Sequence, residues 1–153
     1  MSARTNPFVA APQLMQQLID YGATLLVDGL EPSLIKLVGL RACQINGSAS
    51  GLQRYVTEAR NLGESNARID LLAAWRDTPL YSERERAALA WTEALTRVAD
   101  TRAPDEDYAA VRAQFTETEE VRLTLLICAF NTFNRVAVGH RLPPQVEAER
   151  QAA

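Results

Sequence analysis

The sequence is poor in the residues that build disulfide and metal sites. Its 153 residues include two cysteines, Cys43 and Cys128, and one histidine, His140. Two cysteines make no disulfide framework, and one histidine without cysteine or carboxylate partners at ligand spacing argues against a zinc site. We therefore expect no metal and no cofactor, and we predict two buried, reduced thiols in a cytoplasmic protein.

Clustered positive charge and long apolar runs are also missing. The net charge is −3, and Lys36 is the one lysine among 16 basic residues, so nucleic acid is not an expected partner. The most apolar stretch, residues 123–138, is interrupted by polar side chains and is predicted to be too short and too polar to cross a membrane. The N-terminus has no apolar run typical of a signal peptide. A soluble globular protein is predicted.

No segment alternates apolar and polar residues for long enough to predict a β-strand. Apolar residues instead recur at spacings of three and four, and Ser82 and Thr116 begin segments with the capping-box pattern. These patterns predict an all-α single domain over residues 1–153, with a loose arm at 1–9 and a tail at 145–153. Six to seven helices are expected, over residues 12–25, 31–46, 48–63, 66–75, 82–98, 103–115 and 116–138.

The two central helices are predicted to meet in a tight turn. Asn46-Gly47 breaks the first helix, and Ser48 and Ser50 are suitable residues to begin the second, which Gly63 ends. Such a turn exposes backbone N–H groups at a helix start, where they favour a thiolate or another anion. The turn is therefore the first place to look for a functional site.

The segment LRACQINGSASGLQRYVTEARNLGE resembles the core of the carboxymuconolactone decarboxylase and alkylhydroperoxidase-D-like (AhpD-like) superfamily. LLAAWRDTPLYSERERAALAWTEALT and NTFNRVAVGHRLPP are similar to two further signatures of that superfamily, so the resemblance covers about residues 12–144. The family's Glu falls on Lys36, and its Cys-x-x-Cys-x-x-x-His falls on Ser48, Gly51 and Tyr55. The resemblance implies an AhpD-like helical bundle, antioxidant peroxidase (oxidoreductase) activity and a homo-oligomer, either a trimer or a hexamer.

The replaced residues predict that thiol peroxidase activity is absent or very slow. A serine hydroxyl is not oxidised by peroxide, and Gly51 offers no resolving thiol. The structural alternative is that Ser48 caps a helix, Tyr55 packs and Lys36 is solvated or paired. Cys43, five residues before Ser48, is the one thiol near the reaction centre, and either a reactive or a buried inert role is open to it.

Two classes of function follow from this comparison. The first is a divergent enzyme acting on a small molecule, such as a lactone decarboxylase, and the second is a non-catalytic oligomeric binding or scaffold protein. An open cavity lined by Lys36, Ser48, Tyr55 and Arg135 would favour the first class, and a filled one the second. A serine hydrolase using Ser48 and His140 is a weaker alternative, because nothing in the spacing brings the two together.

Three polar residues, Asn131, Asn134 and Arg135, lie three and four apart on the otherwise apolar last helix. We expect all three side chains to be buried and to hydrogen-bond the central pair of helices near residues 44–48, because buried polar groups need partners. They form either an interhelical hydrogen-bond cluster or a pocket wall whose Arg135 recognises an anionic group.

Overall fold

The computed structural model describes residues 4–27 and 29–145. Within these ranges the chain forms nine α-helices and one 3₁₀ helix, and no strand. In chain order the helices are α1 (Pro7–Ala10), α2 (Pro12–Thr24), α3 (Pro32–Asn46), α4 (Ala49–Asn61), α5 (Asn66–Asp70), the 3₁₀ helix (Leu72–Asp77), α6 (Glu83–Thr96), α7 (Val98–Thr101), α8 (Asp105–Gln114) and α9 (Glu117–His140). The all-α prediction is confirmed, with more helices than the six to seven expected.

The first additional helix lies in the segment predicted to be a loose arm. The Asn6 side chain accepts a hydrogen bond from the backbone N–H of Phe8 at 3.0 Å, and Pro7 occupies the first turn of α1. Proline has its φ preset for a helix start and lacks the N–H that would need a partner there. The prediction of a loose arm is therefore wrong for the described residues after Asn6. Of the predicted tail, residues 146–153 lie outside the described residues.

The other additional helices arise where a predicted helix divides in two. The helix predicted over residues 66–75 divides at Leu71, whose φ of −90° and ψ of 2° end α5 before the 3₁₀ helix. The helix predicted over residues 82–98 ends at Thr96, because Arg97 leaves the helical region with φ −109° and ψ 33°. Val98 begins α7 and is 48% exposed.

Side-chain caps fix the starts of the long helices where the sequence predicts them. Ser82 before α6 and Thr116 before α9 both form complete capping boxes, each with the glutamate three residues later. Each box satisfies backbone N–H groups that a helix start leaves without intrahelical partners.

Helix α3 is the centre of the fold and packs against α4, α6 and α9. One side of it, including Leu34 and Val38, joins the cluster formed with α6 and α9. Another side, including Leu37 and Leu40, joins a cluster with the 3₁₀ helix and α4. Because apolar contacts surround it, α3 holds the turn to α4 in a rigid setting.

A polar contact fixes the position of α3 against α6 and the 3₁₀ helix. Arg41 and Glu93 form an ion pair with 2.8 Å between Nη2 and Oε1, and both side chains are about nine-tenths buried. The indole N–H of Trp75 donates to the same carboxylate oxygen at 2.9 Å. Buried charges need partners of this kind, so the cluster orders three elements around one carboxylate.

Helix α9 has 24 residues and is the one helix in the described part of the chain that is long and apolar enough to cross a membrane by length and composition. The estimate that this segment is too short and too polar is therefore wrong. One face of α9 packs into the protein core, however, with Leu123, Leu126 and Ile127 almost fully buried. That face packs against α3 and α6.

Candidate functional site

The turn between α3 and α4 lies at the centre of the site. Gly47 ends α3 with a φ of 66°, a left-handed conformation that glycine adopts without strain. Ser48 is the N-cap of α4, and its hydroxyl oxygen accepts the backbone N–H of Gly51 at 3.3 Å. Ser48 is also 1% exposed. The predicted capping role of Ser48 is confirmed.

Cys43 occupies the space beside the position where the family would carry its second cysteine. A Cβ added at Gly51 would lie 2.5 Å from Cys43 Sγ, 2.9 Å from Ser48 Oγ and 3.0 Å from Asn134 Oδ1. Separations below 3.0 Å are steric clashes, so position 51 takes glycine because the thiol and hydroxyl fill the volume that a larger residue needs.

The Cys43 thiol is buried and protonated. Its Sγ donates to Asn134 Oδ1 at 3.1 Å, and its side chain has no exposed surface. Burial raises the pKa of the Cys43 thiol to about 12, although the hydrogen bond to Asn134 acts in the opposite direction. A thiol in this environment carries little thiolate near neutral pH and is a poor nucleophile.

The second cysteine is not a partner for the first. Cys128 lies on the outer side of α9 and is exposed, so the prediction that both thiols are buried is wrong for Cys128. In a helix, residue 128 is turned by about 100° from its buried neighbour Ile127, which is enough to bring it out of the core.

Lys36, at the position of the family's glutamate, is held by an ion pair. Its Nζ donates to Glu58 Oε2 at 2.5 Å, and Arg54 Nε donates to the other carboxylate oxygen at 2.8 Å. Burial acts to raise the pKa of Glu58, but the hydrogen bonds from Lys36 and Arg54 lower it overall. The lowered pKa keeps the Glu58 carboxylate charged, and Lys36 is held in the ion pair with it, so neither group is free to transfer a proton.

Tyr55, at the position of the family's histidine, packs between helices. Its ring lies edge-on to Phe130 with 5.2 Å between centroids, and a Cβ added at Gly39 would come within 2.9 Å of it. Burial raises the pKa of the Tyr55 hydroxyl well above its usual range. The hydroxyl therefore stays protonated and can donate a hydrogen bond but does not act as a base.

The polar residues of α9 are divided between the core and the surface. Asn131 is buried; its amide donates to Thr96 Oγ1 at 2.9 Å and accepts from Asn46 Nδ2 at 2.9 Å. Asn134 is also buried, whereas Arg135 is exposed. The predicted contact with α3 is confirmed for Asn131 through Asn46.

The prediction that Arg135 is buried is wrong. Helical geometry places Arg135 near the direction of exposed Cys128, outside the arc that carries Asn131 and Asn134. Gln44, another expected partner, accepts a hydrogen bond from Arg41 Nη1 at 3.0 Å instead.

A cavity of about 510 Å³ opens beside the turn, between α2, α4 and α9. Ser48, Gly51, Tyr55 and Asn134 form its inner wall. Most of the remaining wall is apolar, and its large side chains include Phe8, Met15, Leu126, Phe130, Phe133 and Leu142. Neither Lys36 nor Arg135 lines it. Of the four residues predicted to line the cavity, Ser48 and Tyr55 do so.

His140 lies on a neighbouring recess that also reaches Ser48. Its Nδ1 is 2.9 Å from the backbone carbonyl of Thr5, which can only accept, so Nδ1 carries the proton. No Ser48–His140 hydrogen bond is found among the described residues, and the Ser48 hydroxyl already caps α4. The serine hydrolase alternative gains no support from this geometry. Residues 4–27 and 29–145 also contain no group of three or more His, Cys, Asp or Glu that could hold a metal ion.

The sequence did not predict two features of the site. One is the contact between Cys43 and Asn134, which are separated by 91 positions and share no motif. The other is the amide nitrogen of Asn134, which is buried and has no hydrogen-bond partner within the described residues. The presence of Asn134 on an apolar helix face was the available signal, because a polar residue there needs a partner.

Two proteins without an established function are similar to this chain over most of its length. The chain is 39% identical to a protein of unknown function from Agrobacterium tumefaciens that is provisionally described as an AhpD antioxidant defence protein. The similarity covers 94% of this chain and 98% of that one with a TM-score of 0.90. The chain is also 33% identical over 139 residues to the uncharacterised protein YdfG of Bacillus subtilis, covering 91% of this chain and 95% of that protein.

A more distant likeness concerns the fold alone. An uncharacterised peroxidase-related protein from Silicibacter sp. TM1040 is 19% identical with a TM-score of 0.75, covering 85% of this chain and 69% of that one.

The family model of the carboxymuconolactone decarboxylase family matches residues 12–94, more than half of the sequence. This chain, with its AhpD-like helical fold, therefore belongs to the carboxymuconolactone decarboxylase family.

Proposed function

We propose that this protein binds a small, mainly apolar molecule in the cavity between α2, α4 and α9, and that it does not reduce hydroperoxides with a pair of thiols. The observation that carries the proposal is the open cavity bordered by Ser48, Gly51 and Tyr55 at the positions of the family's reacting residues. A cavity of this size with apolar walls and a few polar groups is typical of small-molecule sites.

Chemistry at the turn argues against dithiol peroxidase activity. That reaction needs one thiolate to attack peroxide and a second thiol to resolve the sulfenic acid. Cys43 is buried with a raised pKa, and Cys128 lies on the opposite, exposed side of α9. Ser48 and Gly51 supply neither sulfur, so the turn has no pair that could complete the cycle.

The antioxidant role assigned to the A. tumefaciens relative makes a second function worth testing. In a single-thiol reaction, the Cys43 thiolate would attack a hydroperoxide, releasing the alcohol and forming a sulfenic acid that an external thiol reduces. The closeness of Cys43 Sγ to position 51 favours this alternative, whereas its burial and high pKa oppose it.

A turnover assay separates these functions. The purified protein is given an alkyl hydroperoxide and a dithiol reductant, with Cys43→Ser as the matched variant. We expect the wild type to show no turnover above that of the variant. Turnover that is lost on Cys43→Ser would establish the single-thiol alternative and overturn the proposal. Native mass spectrometry of the same preparation would then search for a co-purified small molecule.

The cavity also bears on the remaining alternatives. A scaffold that keeps only the oligomeric fold has no need for an open pocket, so the cavity favours the binding function. A lactone decarboxylase would need a group that transfers protons at the Lys36 or Tyr55 positions, but the first is paired with Glu58 and the second is a protonated phenol. Binding, with or without catalysis, is the function best supported.

We also propose a cytoplasmic homo-oligomer, either a trimer or a hexamer. The family resemblance motivates it, and apolar side chains on the outer faces of α2 and α9 support it. Leu14 is 68% exposed, Val121 53% and Leu125 40%. Exposed apolar patches on a soluble protein commonly mark contacts between proteins.

Light scattering on matched variants tests the assembly. Leu125→Glu should lower the measured mass towards that of a single chain, because a carboxylate would be buried in the contact. Val98→Glu introduces the same charge at a similarly exposed apolar residue of α7, 48% against 40%, and should leave the mass unchanged. A wild-type mass of one chain would contradict the proposal.

A further inference from the structure

One buried donor in the cavity wall has no acceptor. Asn134 is 3% exposed, and its Nδ2 has no hydrogen-bond partner among the described residues. A buried N–H group that loses its water without gaining a partner costs free energy, and such groups are rare in folded proteins. An unpaired donor in the wall of a binding cavity is therefore a reason to look for an acceptor on the ligand.

A hydrogen bond from Cys43 sets the orientation of the Asn134 amide. The Cys43 S–H, a weak donor, donates to Asn134 Oδ1 at 3.1 Å, so the amide oxygen is the atom that faces the thiol. With Oδ1 turned towards Cys43, the NH₂ group lies at the opposite edge of the planar amide, away from the thiol. The opposite orientation would leave the protonated thiol without an acceptor.

Several other polar groups that line the cavity can also donate hydrogen bonds. Tyr55 carries a hydroxyl that stays protonated, and Ser50 lies in the first turn of α4, where backbone N–H groups point outward and the helix dipole is positive. Among the described residues, Arg54 is the one charged residue lining the cavity, and no Asp or Glu lines it. The polar end of the cavity is therefore suited to an accepting or negatively charged group and unsuited to a cation.

We infer that the cavity takes an amphipathic molecule whose carbonyl or carboxylate oxygen accepts a hydrogen bond from Asn134 Nδ2, with an alkyl or aryl body against the apolar wall. This inference rests on the proposed binding function and adds the chemical class of the ligand. The body would lie among Phe8, Met15, Leu126, Phe130 and Phe133, which are supplied by three different helices.

Four probes test this by calorimetric titration and by chemical-shift changes in the cavity residues. Octanoate and 2-octanone offer the accepting oxygen, octylammonium carries a cation on the same chain, and toluene has no polar group. We expect octanoate and 2-octanone to bind at least about tenfold more tightly than octylammonium, as expected for one buried hydrogen bond made or left unmade. Toluene should bind weakly in the same cavity.

Two variants assign the preference to the amide. Asn134→Leu removes the donor at similar volume and should weaken octanoate binding about tenfold while leaving toluene binding unchanged. Thr132→Val, on the exposed side of the same helix, is the control and should change neither. Octanoate binding that is unaffected in a folded Asn134→Leu variant would overturn the assignment of the donor.

The outcomes separate the inference from the function on which it rests. If toluene binds and the three octyl probes bind equally, the binding function stands and the inference fails. If no probe binds, toluene included, the binding function fails and the inference fails with it. The comparison among probes uses the wild-type protein alone, so the chemical class of the ligand is tested even if Asn134→Leu does not fold.

Discussion

The Cys43 thiol donates a hydrogen bond to Asn134 Oδ1 at 3.1 Å, directly beneath the position of Gly51. This contact ties α3 to α9 at the turn where related proteins carry their reacting thiols. It places a sulfur near the site but in a buried, protonated form, and it turns the Asn134 amide nitrogen to the other side. The Cys43–Asn134 contact therefore packs the wall of the cavity and does not supply a reactive thiol.

Substitution of Gly51 tests this packing. We expect Gly51→Ala to lower the free energy of unfolding by about 1–3 kcal/mol, because the new methyl would lie 2.5 Å from Cys43 Sγ. Urea denaturation measures the change. Gly139→Ala is the matched control, since an added Cβ there meets nothing within 4 Å, and it should be neutral or stabilising.

A double variant checks the cause of that loss. Cys43→Ala removes the sulfur with which the Gly51→Ala methyl would clash, so the two substitutions together should cost less than the sum of their separate effects. Strict additivity would show that the strain at position 51 comes from another contact.

Stability at alkaline pH reports on the Cys43 thiol. In the folded protein its pKa is raised to about 12 from an ordinary value of 9.0, so above pH 9 the unfolded chain releases a proton that the folded chain keeps. The contribution of Cys43 is fully present below pH 9 and is lost as pH rises towards 12, by about 1.4 kcal/mol per pH unit for one proton.

Urea denaturation at pH 8 and at pH 10.5 measures this dependence. The wild type should lose more stability over the interval than Cys43→Ala, because Tyr55 and every other titrating group are common to both proteins. Equal losses in the two proteins would show that the thiol ionises equally easily in the folded and unfolded chains.

Asn131 and Arg135 should differ sharply in their contributions to stability. Asn131→Ala would remove the acceptor for one of the two hydrogen bonds that Asn46 donates and the donor to Thr96 Oγ1, at a cost of about 2–4 kcal/mol. Arg135→Ala, on the exposed side of the same helix, should change the free energy of unfolding by less than about 0.5 kcal/mol. Thermal unfolding of the two variants measures both, and a large loss on Arg135→Ala would contradict the placement of that side chain.

The sequence predicted helix starts and turns well where residues close together in the chain determine them. The capping boxes at Ser82 and Thr116 and the glycine turn at Gly47 involve residues within a few positions of one another, so the sequence contains the whole interaction. The divisions at Leu71 and Arg97 were missed, because neither residue is a glycine or a proline that would mark a helix break in the sequence.

The site was predictable only in part. The family resemblance located the turn, and the preference of serine for helix starts predicted the role of Ser48. Periodicity placed Arg135 on the face of Asn131 because a spacing of four is close to one turn, yet the edge of the buried arc passes between them. The contact of Cys43 with Asn134 depends on how α3 and α9 pack together, which no short pattern encodes.

Blocking the cavity tests the central claim most directly. Ala23 lines the cavity from α2 and is exposed, so Ala23→Trp would fill the cavity from its outer side without disturbing the core. Ala99→Trp makes the same change at an exposed residue of α7, which does not line the cavity. Calorimetric titration with octanoate should show binding lost in Ala23→Trp and retained in Ala99→Trp. Equal binding by both variants would contradict the account.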